Sequence, residues 1–188
     1  MKIAVVGAAG RMGQMLIRQI ARTEGVSLAA ASEAPGSKAI GKDAGEVAGL
    51  DANGIKIGGD SAAAIAAAQV VIDFTVPAAT VAHAKIAQEK GVAMVIGTTG
   101  LDPQQTALIH EAAKKVPIMW AANMALGVNV LLALVEKTAS LLDPGYDIEV
   151  RNAPPPQDRR AVRHGAGAGP CRRGRPQGQA RGCLAQDP

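Results

Sequence analysis

The residues whose spacing carries chemistry stand at the start of the chain. Gly7-Ala8-Ala9-Gly10-Arg11-Met12-Gly13 follows the β-branched apolar run at 2–6 and leads into apolar residues at helical spacing over 12–21. Strand, glycine turn and helix in that order is the context a dinucleotide fingerprint requires. The spacing is G-x-x-G-x-x-G rather than the commoner G-x-G-x-x-G. Gly7 permits the tight turn, Gly10 lets backbone approach a pyrophosphate, and Gly13 lets helix and strand pack closely. The helix start then offers unpaired N–H groups and a positive dipole end to the anion. Glu33 ends a second strand 20 residues past Gly13, where a carboxylate accepts hydrogen bonds from an adenosine ribose. Plain turn glycines would also explain the motif, but strand, helix and spaced carboxylate together favour a nucleotide. Arg11 is either a solvated helix residue or a neighbour of the adenine and phosphates. An arginine after Glu33 would favour a 2′-phosphate; Ala34 does not, so NAD is favoured over NADP, while Arg11 and Lys38 keep NADP open.

A second group of small and hydroxylated residues follows later strands. Gly97-Thr98-Thr99-Gly100 stands at the carboxyl end of a strand at 92–96, where a nicotinamide and its ribose would arrive; alone, it also suits a helix start capped by threonine. Ala121-Ala122-Asn123-Met124 ends the next strand, and Asn123 is either a helix cap or a site residue. Position favours the site.

These loops need elements to hold them. Strands are predicted at 2–6, 26–31, 55–57, 70–74, 92–96 and 118–121. Helices are predicted from 12, at 62–68 with Ser61 as N-cap, at 78–90 with Pro77 at the first position and Gly91 closing, at 103–115, and at 124–142. Residues 34–54 carry no period and read as a loop. Such alternation predicts an α/β fold, a doubly wound parallel sheet with ligands beyond the carboxyl ends of its strands.

Composition narrows the function. The 188 residues are 48% hydrophobic and 19% charged, with Phe74, Trp120 and Tyr146 as the only aromatics, which excludes an aromatic platform for single-stranded nucleic acid. The net charge of +4 averages two unlike pieces: residues 1–150 carry −2, and residues 151–188, with 8 Arg and no Lys, carry +6. Cys171 and Cys183 both lie in the tail, so the main body has no thiol nucleophile or zinc ligand, and no metal set is expected. No apolar run reaches the roughly 18 residues of a membrane span, and Met1-Lys2 leads straight into a strand, so a cytoplasmic chain without membrane partners is expected.

The combination of VVGAAGRMG, VIDFTVPAAT, MVIGTTG, AANMALGVNVLL and YDIEV, in order over residues 1–150, resembles the dihydrodipicolinate reductase family, also called 4-hydroxy-tetrahydrodipicolinate reductase. The resemblance implies that Gly7, Ala8, Ala9, Gly10, Arg11, Met12 and Glu33 hold the adenosine half of NAD or NADP. Gly97, Thr98 and Thr99, with Ala121, Ala122, Asn123 and Met124, would line the nicotinamide half. It implies reduction of an unsaturated cyclic dicarboxylate by NADH or NADPH in the diaminopimelate route to lysine, by homotetramers in the bacterial cytoplasm. It also implies a Rossmann-like dinucleotide-binding domain at 1–123 and the start of an α+β substrate and tetramerisation domain at 124–150.

The family's acid and substrate cations come from a histidine-rich, lysine-containing segment after the strand at 147–150, then a Ser-Gly-Thr turn. This chain has neither, so no catalytic residue is assigned. Residues 151–188 hold 6 Gly and 6 Pro with only Val162 and Leu184 as large aliphatics, which predicts disorder. A basic arm for RNA, a flexible interaction tail and an out-of-frame translation compete. Synonymous codons for Arg151 to Ala166, read one base later, are compatible at every position with Glu-Met-His-His-Arg-His-Lys-Ile-Asp-Ala-Pro-Ser-Gly-Thr-Ala-Leu, the missing family segment. A single-base change near codon 150 is therefore the favoured reading, and the chain as written should bind nucleotide weakly and turn over nothing. His164 belongs to the altered text and takes no catalytic role; His83 and His110 are placed on helix surfaces. The alternative function is a nucleotide-sensing binding protein whose basic tail contacts nucleic acid.

Overall fold

The computed structural model describes residues 1–143, 145 and 146; the strand expected at 147–150 and the tail at 151–188 lie outside the described residues. The chain divides after Leu126, Met1–Leu126 forming one compact unit. Its sheet contains β1 (Lys2–Val6), β2 (Ser27–Ser32), β3 (Ile57–Gly58), β4 (Val70–Asp73), β5 (Ala93–Ile96) and β6 (Ile118–Trp120) in the order β3-β2-β1-β4-β5-β6. Every pairing is parallel. The fold is α/β and doubly wound, and its strand order reverses direction between β1 and β4, which is where such sheets open a crevice for ligand.

The alternation within β1 shows how the sheet is covered. Ala4 and Val6 pack with Val71, Met94 and Ile96 beneath α3 (Ser61–Ala66), α4 (Pro77–Lys90) and α5 (Pro103–Ala113). Ile3 and Val5 face the other way, joining Ala31 and Ile57 against Ile17 and Ile20 of α1 (Arg11–Arg22) and Ala44 of α2 (Ala44–Val47). Successive strand side chains point to opposite faces, so a strand covered on both sides reads as an unbroken apolar run.

Most expected elements are present, with informative shifts. Pro77 opens α4 and Gly91 closes it at φ +69°, a left-handed C-cap. Asp60, not Ser61, caps α3: its Oδ1 accepts the Ala62 and Ala63 amides at 2.8 and 3.1 Å. The loop expected over 34–54 contains the four-residue α2, too short to give a period and held by Asp43 at its N-cap. In the second unit the described helix is α6 (Leu126–Ala139), none of whose side chains is buried.

Candidate dinucleotide site

The glycine turn is built as its spacing requires. Gly7 has φ +71°, and a Cβ there would stand 2.8 Å from Thr75 Cγ2. A Cβ on Gly13 would lie 2.2 Å from the Gly7 carbonyl oxygen and 2.7 Å from Ala8 Cα, so α1 can lie against the turn only with glycine at that position. The Gln14 side-chain amide donates to the Ala9 carbonyl at 2.8 Å and braces the turn from the helix.

Not every turn amide faces outward, which refines the expectation for Ala8, Ala9 and Gly10. The Ala8 N–H donates to the Ser32 carbonyl at 3.0 Å and the Gly10 N–H to the Gly7 carbonyl at 3.1 Å. The Ala9 N–H donates to Glu33 Oε2 at 2.9 Å, and the neighbouring Ala34 N–H to Glu33 Oε1 at 3.0 Å. Gly10 is the N-cap of α1 and no side chain caps the helix, so the donors at its mouth are the first-turn amides of Arg11 and Met12, both exposed residues. Glu33 is thereby clamped across the turn by both carboxylate oxygens.

A cleft of about 450 Å³ opens at this point. Gly7, Gly10 and Glu33 line it, with Ala34, Phe74, Thr75 and His83 among the other walls. It therefore lies at the carboxyl ends of β1, β2 and β4, at the reversal point of the strand order. Among the described residues Glu33 is its one carboxylate, and neither lysine nor arginine lines it.

The loops after β5 and β6 stand beside one another, joined by the Ala121 N–H donating to the Ile96 carbonyl at 3.2 Å. They do not line the cleft with Glu33. Gly97 lies under Phe74: a Cβ there would come within 1.9 Å of the ring. Thr98 is buried while Thr99 is exposed, so of the two expected hydroxyls only that of Thr99 is available to a ligand. Asn123 Oδ1 accepts the Ala125 N–H at 2.8 Å, and Ala122, Asn123 and Met124 are exposed.

His83 is a correction. Its side chain is 11% exposed rather than on a helix surface, and its Nδ1 lies 2.8 Å from Oδ2 of the fully buried Asp73. The sequence held a signal for this: α4 buries Thr80, Ala84 and Ala87, and position 83 falls on that same stripe. His110 is exposed as expected, with its ring edge-on to Trp120 at 6.5 Å.

Comparison with known proteins decides the family. Residues 1–124 match the profile of "Dihydrodipicolinate reductase, N-terminus". The chain belongs to the dihydrodipicolinate reductase family. Among curated relatives, the 4-hydroxy-tetrahydrodipicolinate reductase of Aromatoleum aromaticum is 52% identical over 153 residues, covering 81% of this chain and 55% of the relative. That of Bradyrhizobium sp. (strain ORS 278) is 50% identical over 150 residues, 80% of this chain and 55% of the relative. The chain thus spans little more than half the length of these relatives. In structure it resembles a dipicolinate-bound dihydrodipicolinate reductase from Paenisporosarcina sp. TG-14, with TM-score 0.60 at 23% identity over 74% of this chain and 53% of that one. An amine dehydrogenase from Mycobacterium smegmatis shares the fold at TM-score 0.53 and 20% identity, over 63% of this chain and 38% of that one.

Proposed function

We propose that residues 1–126 form the cofactor-binding half of a 4-hydroxy-tetrahydrodipicolinate reductase, with NADH preferred to NADPH. The observation that carries the reading is the Glu33 carboxylate, clamped by the Ala9 and Ala34 amides at the rim of a cleft reached by Gly7 and Gly10. The residues present fit the adenosine end of a dinucleotide. A carboxylate with remaining lone pairs would meet ribose hydroxyls and apolar Pro35 and Val76 would flank a flat ring, while the Arg11 and Met12 amides at the uncapped start of α1 would meet phosphate oxygens. A 2′-phosphate would meet the Glu33 carboxylate, with neither lysine nor arginine in the cleft wall among the described residues to offset it.

When bound, the nicotinamide supplies a hydride, and the protein's task is to orient it and exclude competing reactions. Gly97 and Thr99 after β5, with Ala121 to Met124 after β6, are the residues on the nicotinamide side. Reduction of the dicarboxylate needs in addition a proton donor and cations for the carboxylates. By the family resemblance these belong to the segment that residues 151–166 would encode in the shifted frame. Similarity to the relatives spans 150 to 153 residues, which accords with that reading. Sequencing the DNA across codons 145–170 tests it: a one-base restoration is expected, and an unbroken frame whose codons cannot give the His-His-Arg-His-Lys reading refutes it.

The cofactor assignment is tested by titrating NADH and NADPH against the full chain and Glu33→Ala. NADH is expected to bind the unmodified chain more tightly. The substitution should weaken NADH by about 10- to 100-fold, the range for losing hydrogen bonds to a charged group, and weaken NADPH less. Equal NADH affinity in the two proteins removes Glu33 from the site.

A further inference from the structure

Behind the cleft the structure holds a buried polar chain that links the element beneath the adenosine side to the loop on the nicotinamide side. Asp73 ends β4 with no exposed surface, and Thr80 on α4 is equally buried. The Asp73 Oδ1 accepts the Thr75 N–H at 2.8 Å and the Thr75 hydroxyl at 2.6 Å, while Oδ2 meets His83 Nδ1 at 2.8 Å. The Thr80 hydroxyl donates to Thr98 Oγ1 at 2.8 Å, and the Thr98 hydroxyl points on to Asp73 Oδ1 at 3.5 Å.

Each hydroxyl has one proton to give: Thr80 gives to Thr98 at 2.8 Å, Thr98 points toward Asp73 and Thr75 gives to Asp73 at 2.6 Å, which leaves the longer 3.4 Å approach of the Thr75 and Thr80 oxygens without a proton of its own. Such a chain is self-consistent only with an acceptor at its end, the carboxylate. The backbone follows the same route. The Gly97 N–H donates to the Asp73 carbonyl at 2.9 Å, and Trp120 Nε1–H donates to the Thr98 carbonyl at 3.2 Å. Thr98, which the sequence places among cofactor ligands, thus turns its side chain inward and is held from α4, β4 and β6.

We propose that Thr80 is a positioning residue for the nicotinamide half of the cofactor, acting through Thr98 and the Asp73 carboxylate to fix the backbone of residues 97–99. This rests on the cofactor reading above. Thr80 does not line the cleft; its Oγ1 stands 3.4 Å from that of Thr75, which does, but Thr75 is held without it by Asp73 Oδ1 through its N–H at 2.8 Å and its hydroxyl at 2.6 Å. A β-branched apolar replacement keeps its shape and deletes only the hydroxyl.

The test uses the full chain, with NADH and with ADP-ribose, which carries the adenosine half and no nicotinamide. For Thr80→Val, NADH affinity is expected to fall about 5- to 10-fold, the worth of one buried hydrogen bond, while ADP-ribose affinity stays within about 2-fold. The emission of bound NADH should lose part of its enhancement, and Thr80→Ser, which restores the hydroxyl, should recover both. Trp120 is the only tryptophan, so its emission in the ligand-free protein reports the Thr98 carbonyl directly and should shift in Thr80→Val. If Thr80→Val does not fold, Thr98→Val removes the receiving hydroxyl and takes the same measurements. Equal weakening of both ligands, unchanged NADH binding, or failure of serine to rescue overturns the proposal. Failure of the unmodified chain to bind either ligand defeats the cofactor reading itself.

Discussion

Single residues carry the sharpest consequences. Gly13→Ala places a methyl against the Gly7 carbonyl and Ala8 Cα, backbone that cannot rotate away, so α1 must lift from the turn. The expected cost is about 1–3 kcal/mol, the range for overpacking, read as a lowered urea midpoint, together with loss of NADH binding. Gly127→Ala serves as the control, since Gly127 is likewise a helical glycine without positive φ but has open space around its Cβ. If Gly13→Ala were no worse than Gly127→Ala, close packing at the turn would not be what position 13 supplies. Gly97→Ala acts differently, because the atoms it meets belong to the Phe74 ring, which also lines the cleft. The ring must move, and weaker NADH binding is expected beyond any loss of stability; fluorescence titration at a temperature where the variant is folded separates the two.

Among elements, the segment between β2 and β3 depends on one carboxylate. Asp43 Oδ1 accepts amides from Gly45, Glu46 and Asn53, and Oδ2 accepts that of Gly54. The Asn53 N–H first, then those of Glu46, Gly54 and Gly45, holds the Asp43 carboxyl below the usual carboxylate range, with desolvation acting against them. A carboxyl lowered by folding stabilises the native state above its unfolded value, and that contribution disappears as pH falls through the folded value. Amide exchange at Asn53 and Gly54 should therefore be slow near neutrality and lose protection on acidification; protection unchanged well below the carboxylate range would contradict the arrangement.

The same segment marks the limit of what the sequence makes legible. Strands β1, β4 and β5 and helices α4 and α5 are visible because apolar periodicity, Pro77 and Gly91 report local physics. The four-residue α2 is stabilised by an Asp43 that binds amides ten and eleven residues away, and no local window contains that. Glu33 and the glycine turn are legible because their spacing is itself the geometry. The buried partnership of Asp73, Thr80, His83 and Thr98 is not, because it arises where β4, α4 and β5 meet. Only the stripe of α4 hints that position 83 faces inward.

At the scale of the whole molecule, the chain covers little more than half of its relatives' length. Among the described residues no helix is long and apolar enough to cross a membrane. Yet α6 leaves Leu131, Leu132 and Leu134 exposed at 57%, 60% and 59%. Apolar side chains exposed in series favour association. Sedimentation velocity should show concentration-dependent self-association that Leu131→Glu with Leu134→Glu reduces; a monomer at all concentrations would contradict it. On the proposed frame change near codon 150, the one-base restoration is expected to add NADH oxidation with the dicarboxylate substrate, and a restored chain that leaves NADH unoxidised would contradict the proposal.

On the proposed reading the first-turn amides of α1 receive the pyrophosphate and the Glu33 clamp receives the ribose. Amide chemical shifts recorded while NADH is added to the full chain test this most directly. The largest changes are expected at Ala9, Arg11, Met12 and Ala34, with Gly91 and Asn53 unmoved. Changes centred instead on the apolar hollow lined by Ile17, Val26 and Ile55, or none at the glycine turn at saturating NADH, would contradict it.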